Sequence, residues 1–569
     1  MRSELCNHPA FATRAETLSY EERVRLVYQR LDALLEIYNE TEYALDDVET
    51  LSPKFWEPYK DPALVIDVGC ANVLACHLNL FLGTILPMKS ERPDLLPIMQ
   101  QILAGEVIGN FLLTELGHGL DITRLETTAT KVTDGYILHT PHGGAAKFMP
   151  PTTPHPTRAK ISVVFARLLV DGEDRGVHPF LVPTSDEHGM CLGISATILP
   201  PRSGTSPLDY SLTSFDHVRL PPAAFLGSAL DAPADPHALL LRYIWRTTVG
   251  QASLSLIAIT GTKIAACLGV EYSLRRMVQG KQHVPTPVMG FRTQQLPMVY
   301  CTAVAHVLDA WAPRVIEQFV RTDIDVEVRG GLAAVLKTTV CRFATHYYRE
   351  VGERLGVQGT FGHNIVSQIE MDMRGFIIAE GDIRVLSIRL FSQMLQGRVA
   401  LPMPSHGDSV LAQHSAGLLV RCQRLLAGLE LGHRDPRFND LILPQCEPGI
   451  LALGCAYAYG AAVDAGVPQP LLDLFELAAM KWDPSWYSEN TSLSDEVRLL
   501  REDLAVLAAL PHIRAYVDAL GVRDSISAPI LSDEAWQNWT RQLRSYVGGA
   551  TRDKISLTGI PTDDSKARL

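Results

Sequence analysis

Apolar positions along the first part of the chain recur with a helical period. Ser19-Tyr-Glu-Glu22 has the form of a capping box, and Val24, Val27, Leu31 and Leu34 follow three or four positions apart. Further helical regions are expected over about 65–86 and 94–108, so the first ~110 residues read as an all-helical layer. From Thr114 to about Leu230 the period becomes two. Segments 161–169, 179–183, 192–199 and 216–220 read as strands, and Pro and Gly clusters separate them as in a small barrel or sandwich. After Pro236 the helical spacing returns. Leu240 to Leu268 is rich in small residues suited to close packing. Val497, Leu500, Leu504 and Leu507 make an apolar stripe behind the cap Ser494-Asp495-Glu496, and Pro511 stops that helix. The expected fold class is α+β. It comprises an N-terminal helical domain (1–112), a middle antiparallel β-domain (113–232), a helical bundle domain (233–400) and a C-terminal helical domain with a tail (401–569).

Composition changes this picture little but excludes several functions. A chain of 569 residues, 47% hydrophobic and 20% charged, has ample material for several cores. A net charge of −12 argues against nucleic-acid binding, which needs a basic footprint. The ten cysteines are scattered, without paired or metal-type spacing, which reads as reduced thiols in an intracellular compartment and as no metal site. The most apolar run, Ala63 to Met88, is broken by Asp67, Asn72, His77 and Asn79, so a buried helix is expected there and no membrane span.

Two stretches carry candidate chemistry. In Thr114-Glu-Leu-Gly117-His-Gly119, the glycines bracket a tight loop that lets backbone approach a ligand. Strand-like Thr127-Thr-Ala-Thr130 and Tyr136-Ile-Leu-His-Thr140 follow it. In Phe376-Ile-Ile-Ala-Glu-Gly-Asp382, a carboxylate between apolar residues and a glycine could lose solvent, raising its pKa into the range of a useful base. Read without context, such a Glu is more often a helix cap, and the glycine loop a plain hairpin. HExxH, GxSxG and Walker A motifs are absent.

The order of these pieces resembles the peroxisomal acyl-CoA oxidases, flavoprotein relatives of the acyl-CoA dehydrogenases. The likeness covers most of the chain and extends to Asp174-Arg-Gly-Val-His-Pro-Phe180 and Phe215-Asp-His-Val-Arg-Leu-Pro221. It implies FAD as cofactor, an acyl-CoA or related acyl thioester as substrate, molecular oxygen as electron acceptor and a homodimer sharing its flavin sites. It assigns the catalytic base to Glu380, within a Glu-Gly-acidic-Asn segment where this chain has Ile383. It places Thr114, with the Gly117 and Gly119 loop, at the polar edge of the flavin. The family's Lys-Trp-Trp-Pro-Gly, whose glycine backbone meets the flavin, reads here Lys147-Phe148-Met149-Pro150-Pro151. Phe148 alone remains of the aromatic wall, and Pro151 has no N–H. Tyr272-Ser-Leu-Arg-Arg276, expected on a helix, resembles the segment whose arginine reaches the flavin pyrophosphate across a subunit boundary. Gln295 corresponds to a glutamine of that region, and Gly356-Val-Gln-Gly359 to a turn packing on the adenosine. The terminal Ala567-Arg568-Leu569 is a variant of the peroxisomal Ser-Lys-Leu address. The resemblance implies formation of an α,β double bond with release of hydrogen peroxide. A dehydrogenase on a specialised thioester and a flavin-free scaffold subunit are the alternatives.

Overall fold

The computed structural model describes residues 2–548; the Ala567-Arg568-Leu569 tail lies outside them. Helix α1 (Tyr20–Glu40) starts on the expected capping box. Glu22 N–H donates to Ser19 Oγ, and Ser19 N–H donates back to Glu22 Oε2 at 2.8 Å. Helix α2 (Val68–Leu74) runs on into a π-helical segment, Ala75–Leu82, and the chain reaches Met88 almost without a break. Helix α3 (Leu96–Leu103) is shorter than the expected 94–108. Ile108–Leu112 forms strand β1 instead, so the sheet begins ahead of the glycine loop. Ile108 N–H donates to Ala159 O at 2.9 Å, and pairing along the neighbouring strand overrides the helical run.

The remaining strands of the β-domain are β2 (Thr128–Val132), β3 (Gly135–His139), β4 (Lys147–Phe148), β5 (Lys160–Val170), β6 (Glu173–Asp186), β7 (Gly189–Met190), β8 (Ile194–Ile198), β9 (Ser211–Phe215) and β10 (Val218–Leu220). One sheet has the order β10-β3-β2-β5-β6-β7, and a smaller one β4-β9-β8. The pairings are antiparallel, except that β5 takes β1 and β2 in parallel along successive halves of one edge. That long central strand joins the helical layer to the barrel-like sheet. Leu112, Leu138, Val164, Phe180 and Phe215 form the sheet's own core.

Two helices dominate the rest. Helix α4 (Trp245–Arg275) is buried on nearly every side, as its small residues allow, and packs between α5 (Arg292–Val320) and α6 (Val326–Arg354). One continuous apolar core extends from Leu5 in the first layer through Ile257 of α4 to Phe475 in the last third of the chain. Val68–Met88 and α4 are long and apolar enough to cross a membrane, but 89% and 100% of their apolar windows lie inside the protein. All ten cysteines are unpaired.

Candidate active site

Glu380 sits in the break between α7 (Val366–Ile378) and α8 (Ile383–Leu395). The helix cap here is Asp382, whose Oδ1 accepts the N–H groups of Arg384 at 2.9 Å and Val385 at 3.2 Å. Glu380 is therefore free for other work. It is held in a left-handed conformation, φ 58°, followed by Gly381 at φ 102°; such a state persists only where its surroundings enforce it. Two buried side chains do so. Lys337 of α6 donates through Nζ to the carbonyls of Ala379 and Gly381, the latter at 2.5 Å, and Gln251 of α4 donates to Glu380 O at 3.0 Å. The carboxylate lies flat on α4 at Gly250, where a Cβ would come within 2.6 Å of Glu380 Cδ. A larger residue at 250 would displace it.

Among the described residues the Glu380 carboxylate accepts no hydrogen bond, and its N–H has no partner. The side chain keeps a partly accessible surface within a dense shell of protein, as a group at the floor of a cleft does. Burial pushes its pKa from 4.5 to about 8, against the opposing pull of the Lys337 cation. Tyr59 and Cys76, the latter on the π segment, lie close enough for this charge to raise their own values. Lys337 and Gln251 were missed in the sequence.

The second centre is the loop after β1. Glu115 and Lys147 are both fully buried and form an ion pair of 2.9 Å. Glu115 also accepts the N–H groups of Glu126 at 2.7 Å and Thr127 at 3.0 Å, while Lys147 donates to Leu113 O and Phe165 O. Burial would raise the Glu115 pKa, but Lys147 and those two donors outweigh it and hold the carboxyl ionised. This clamp brings Thr114 and Phe148 together: Phe148 N–H donates to Thr114 O at 2.9 Å. The Thr114 hydroxyl and N–H have no partner among the described residues, so two adjacent donors remain half-buried. Gly117 N–H donates to Gly144 O at 2.7 Å, and Gly119 is exposed at the loop tip.

No protein-family model matches the chain. Human peroxisomal acyl-coenzyme A oxidase 3 is 27% identical over 357 residues, covering 58% of this chain and 48% of the human protein. The sequence match thus spans about half of that relative's length. In three dimensions, acyl-CoA oxidase 3 from Yarrowia lipolytica superposes with a TM-score of 0.80 at 18% identity, over 100% of this chain and 92% of that one. The chain is thus similar in sequence to acyl-CoA oxidases and shares their fold. Acyl-CoA oxidase-2 of Caenorhabditis elegans, crystallised with FAD, ascaroside-CoA and ATP, superposes with a TM-score of 0.77 at 17% identity, over 95% of this chain and 88% of that one.

Within this oxidase fold, the other expected contact residues lie at the far end of α4. Arg276, expected on the helix, is its C-cap and is exposed, whereas Arg275 pairs with Asp533. Gln295 is buried on α5 and donates to Met289 O at 2.9 Å; its neighbour Gln294 reaches Ser273 Oγ and Arg354 O. Gly356 follows the end of α6 at φ 62°, and Gly359 packs so tightly on Gly352 O that a Cβ would sit 2.1 Å from it. At 1.5 Å per residue, Arg276 lies about 39 Å along the helix from Gly250, where Glu380 rests. One chain therefore does not bring these residues to the same place as Glu380. Ile383 is buried in the core, so nothing polar replaces the family's Asn there.

Proposed function

We propose that the chain is an FAD-dependent acyl-CoA oxidase that introduces an α,β double bond into an acyl thioester. The observation that carries this reading is Glu380: a carboxylate without hydrogen-bond partners, fixed by Lys337 and Gln251, with burial raising its pKa to about 8. Such a group takes an α proton from carbon, a step that needs a positioned base of matched pKa. Its free N–H would donate to the thioester oxygen as negative charge develops there. The donors of Thr114 and the ring of Phe148 fit the polar edge and face of a flavin. When bound, the flavin supplies the acceptor for the β hydrogen with its electron pair and passes that pair to dioxygen, giving hydrogen peroxide. Visible absorbance of the purified protein, bleached by acyl-CoA and coupled to peroxide under air, tests the assignment. Bleaching without peroxide makes it a dehydrogenase, and a protein that refuses added FAD sinks the reading.

The rate follows ionisation of the base. Below about pH 8 the carboxyl is protonated and cannot accept the α proton, so kcat/KM rises roughly tenfold per pH unit and levels off above that value. A profile flat from pH 6 to 9 would contradict the assignment of Glu380.

We infer that the Arg276, Gln295, Gly356 and Gly359 cluster, set apart from Glu380 along α4, serves the flavin site of a second copy. A homodimer fits the apolar stripe on helix α9 (Asp495–Ala509). Its buried face is Ala505, Val506 and Ala509, while Leu500, Leu504 and Leu507 are 59%, 67% and 55% exposed. Replacing Leu504 and Leu507 with glutamate is expected to give monomers in sedimentation and to cut flavin content severalfold. A variant that stays dimeric places the contact elsewhere. The Ala567-Arg568-Leu569 tail and the peroxisomal names of relatives support a peroxisomal location.

A further inference from the structure

Arg246, one turn before Gly250 on α4, is 6% exposed and has no ionic partner among the described residues. Its Nη2 donates to Val48 O at 2.7 Å, while Nη1 is buried without any acceptor. Glu49, a carboxylate whose charge reaches Arg246, is already held by Lys89. The phenol of Tyr43, close enough to feel the guanidinium charge, is likewise buried with its hydroxyl unpartnered. The guanidinium lies against the bare backbone of Gly83, where a Cβ would come within 2.3 Å of Nε. Two neighbouring donors, one of them charged, thus lack an acceptor in the interior. Burying a cation without a compensating partner costs more than one carbonyl contact offsets. Burial accordingly lowers the Arg246 pKa to about 10.

Its place relative to the base is set by the helix. Arg246 and Gly250 share a face about 6 Å apart along the axis. Tyr59 lies within reach of the charges of both Glu380 and Arg246. A substrate whose α carbon meets Glu380 and whose acyl group runs one turn toward the start of α4 would end at the guanidinium.

Building on the oxidase reading above, we propose that Arg246 is an anion-recognition residue for the acyl group, and that the preferred substrates are thioesters carrying a carboxylate a few carbons beyond the reacting bond. A carboxylate would accept from Arg246 Nη1 and from Tyr43 Oη together, satisfying both open donors and neutralising the buried charge. Plain alkyl chains leave them as they are.

The experiment compares chain-matched pairs, adipoyl-CoA with hexanoyl-CoA and suberoyl-CoA with octanoyl-CoA, on the flavin-loaded enzyme. At least one pair should show kcat/KM higher for the carboxylated member by about tenfold or more, as a charge-assisted pair implies. In Arg246→Gln that ratio should fall to one or below. Arg246→Lys should keep part of it, since the charge remains while the planar fork is lost. A purely structural role would change melting temperature without moving the ratio. Ratios at or below one in the wild-type protein overturn the proposal whatever the variants do, and so does a ratio that survives in Arg246→Gln. If no thioester bleaches the flavin, the oxidase reading fails separately. Calorimetric titration of the same pairs then decides this one: tighter binding of the carboxylated member supports it, and equal or weaker binding overturns it.

Discussion

Glu380→Gln is expected to bind flavin with an unchanged spectrum and to reduce it on acyl-CoA about 10³-fold more slowly than the wild type, within the 10²–10⁴ range of a lost general base. Glutamine keeps the shape of the side chain over Gly250 and leaves the backbone contacts from Lys337 and Gln251 in place. The deficit would therefore report the proton acceptor alone. Stopped-flow bleaching at saturating thioester measures it, and a loss of less than tenfold would remove Glu380 as the base. The same substitution has an opposite signature in stability. Because the folded-state pKa is raised from 4.5 to about 8, the native protein holds a proton that the unfolded chain releases between those values. The wild type's contribution from Glu380 is complete below pH 4.5 and is lost as pH rises to 8. Glutamine does not titrate, so the variant gains in melting temperature relative to wild type at pH 8 but not at pH 4.5. An inactive protein that is more stable at alkaline pH is hard to explain unless the carboxylate is stored at some energetic cost for function.

What was legible in the sequence follows from which forces are local. The capping box at Ser19 and the period-two runs in β3 and β5 depend on near neighbours, and they emerged where expected. Strand β1 did not, because Ile108-Gly-Asn-Phe-Leu112 continues an apolar helical run and becomes a strand only by pairing with residues 160–164, about fifty positions on. Glu380 was readable from its short motif, whereas the groups that hold it were not, since Gln251 and Lys337 lie on separate long helices. Lys337 did leave a trace: a single lysine within Leu332-Ala-Ala-Val-Leu-Lys-Thr-Thr-Val-Cys341 cannot reach solvent from a buried helix and must find acceptors inside. Arg246 stands in similar apolar company and signals the same need. The stripe of Leu500, Leu504 and Leu507 shows the reverse limit. Periodicity identifies an apolar face but not whether the chain itself or another copy covers it.

Lys147→Met is expected to destabilise the protein by about 3–5 kcal/mol, the range found when one member of a buried ion pair is removed. Both partners are fully buried, and the change would leave Glu115 charged in the interior with only the Glu126 and Thr127 N–H groups facing it. It would also strip the Leu113 and Phe165 carbonyls of the donor they share. Lys147 fastens the Thr114 loop to β5 from within, so the loss should not stop at stability. Thr114 and Phe148 should lose their mutual register, and flavin occupancy should fall in the folded fraction as well. Urea unfolding combined with the flavin-to-protein absorbance ratio measures both effects. Adding Glu115→Gln removes the stranded charge, so the double variant should recover a large part of the stability while flavin binding stays weak, because the loop remains unfastened. Full recovery of both would mean that the pair only balances charge. Recovery of stability alone would show that a residue read in sequence as part of a flavin-facing motif acts by holding the loop that carries Thr114.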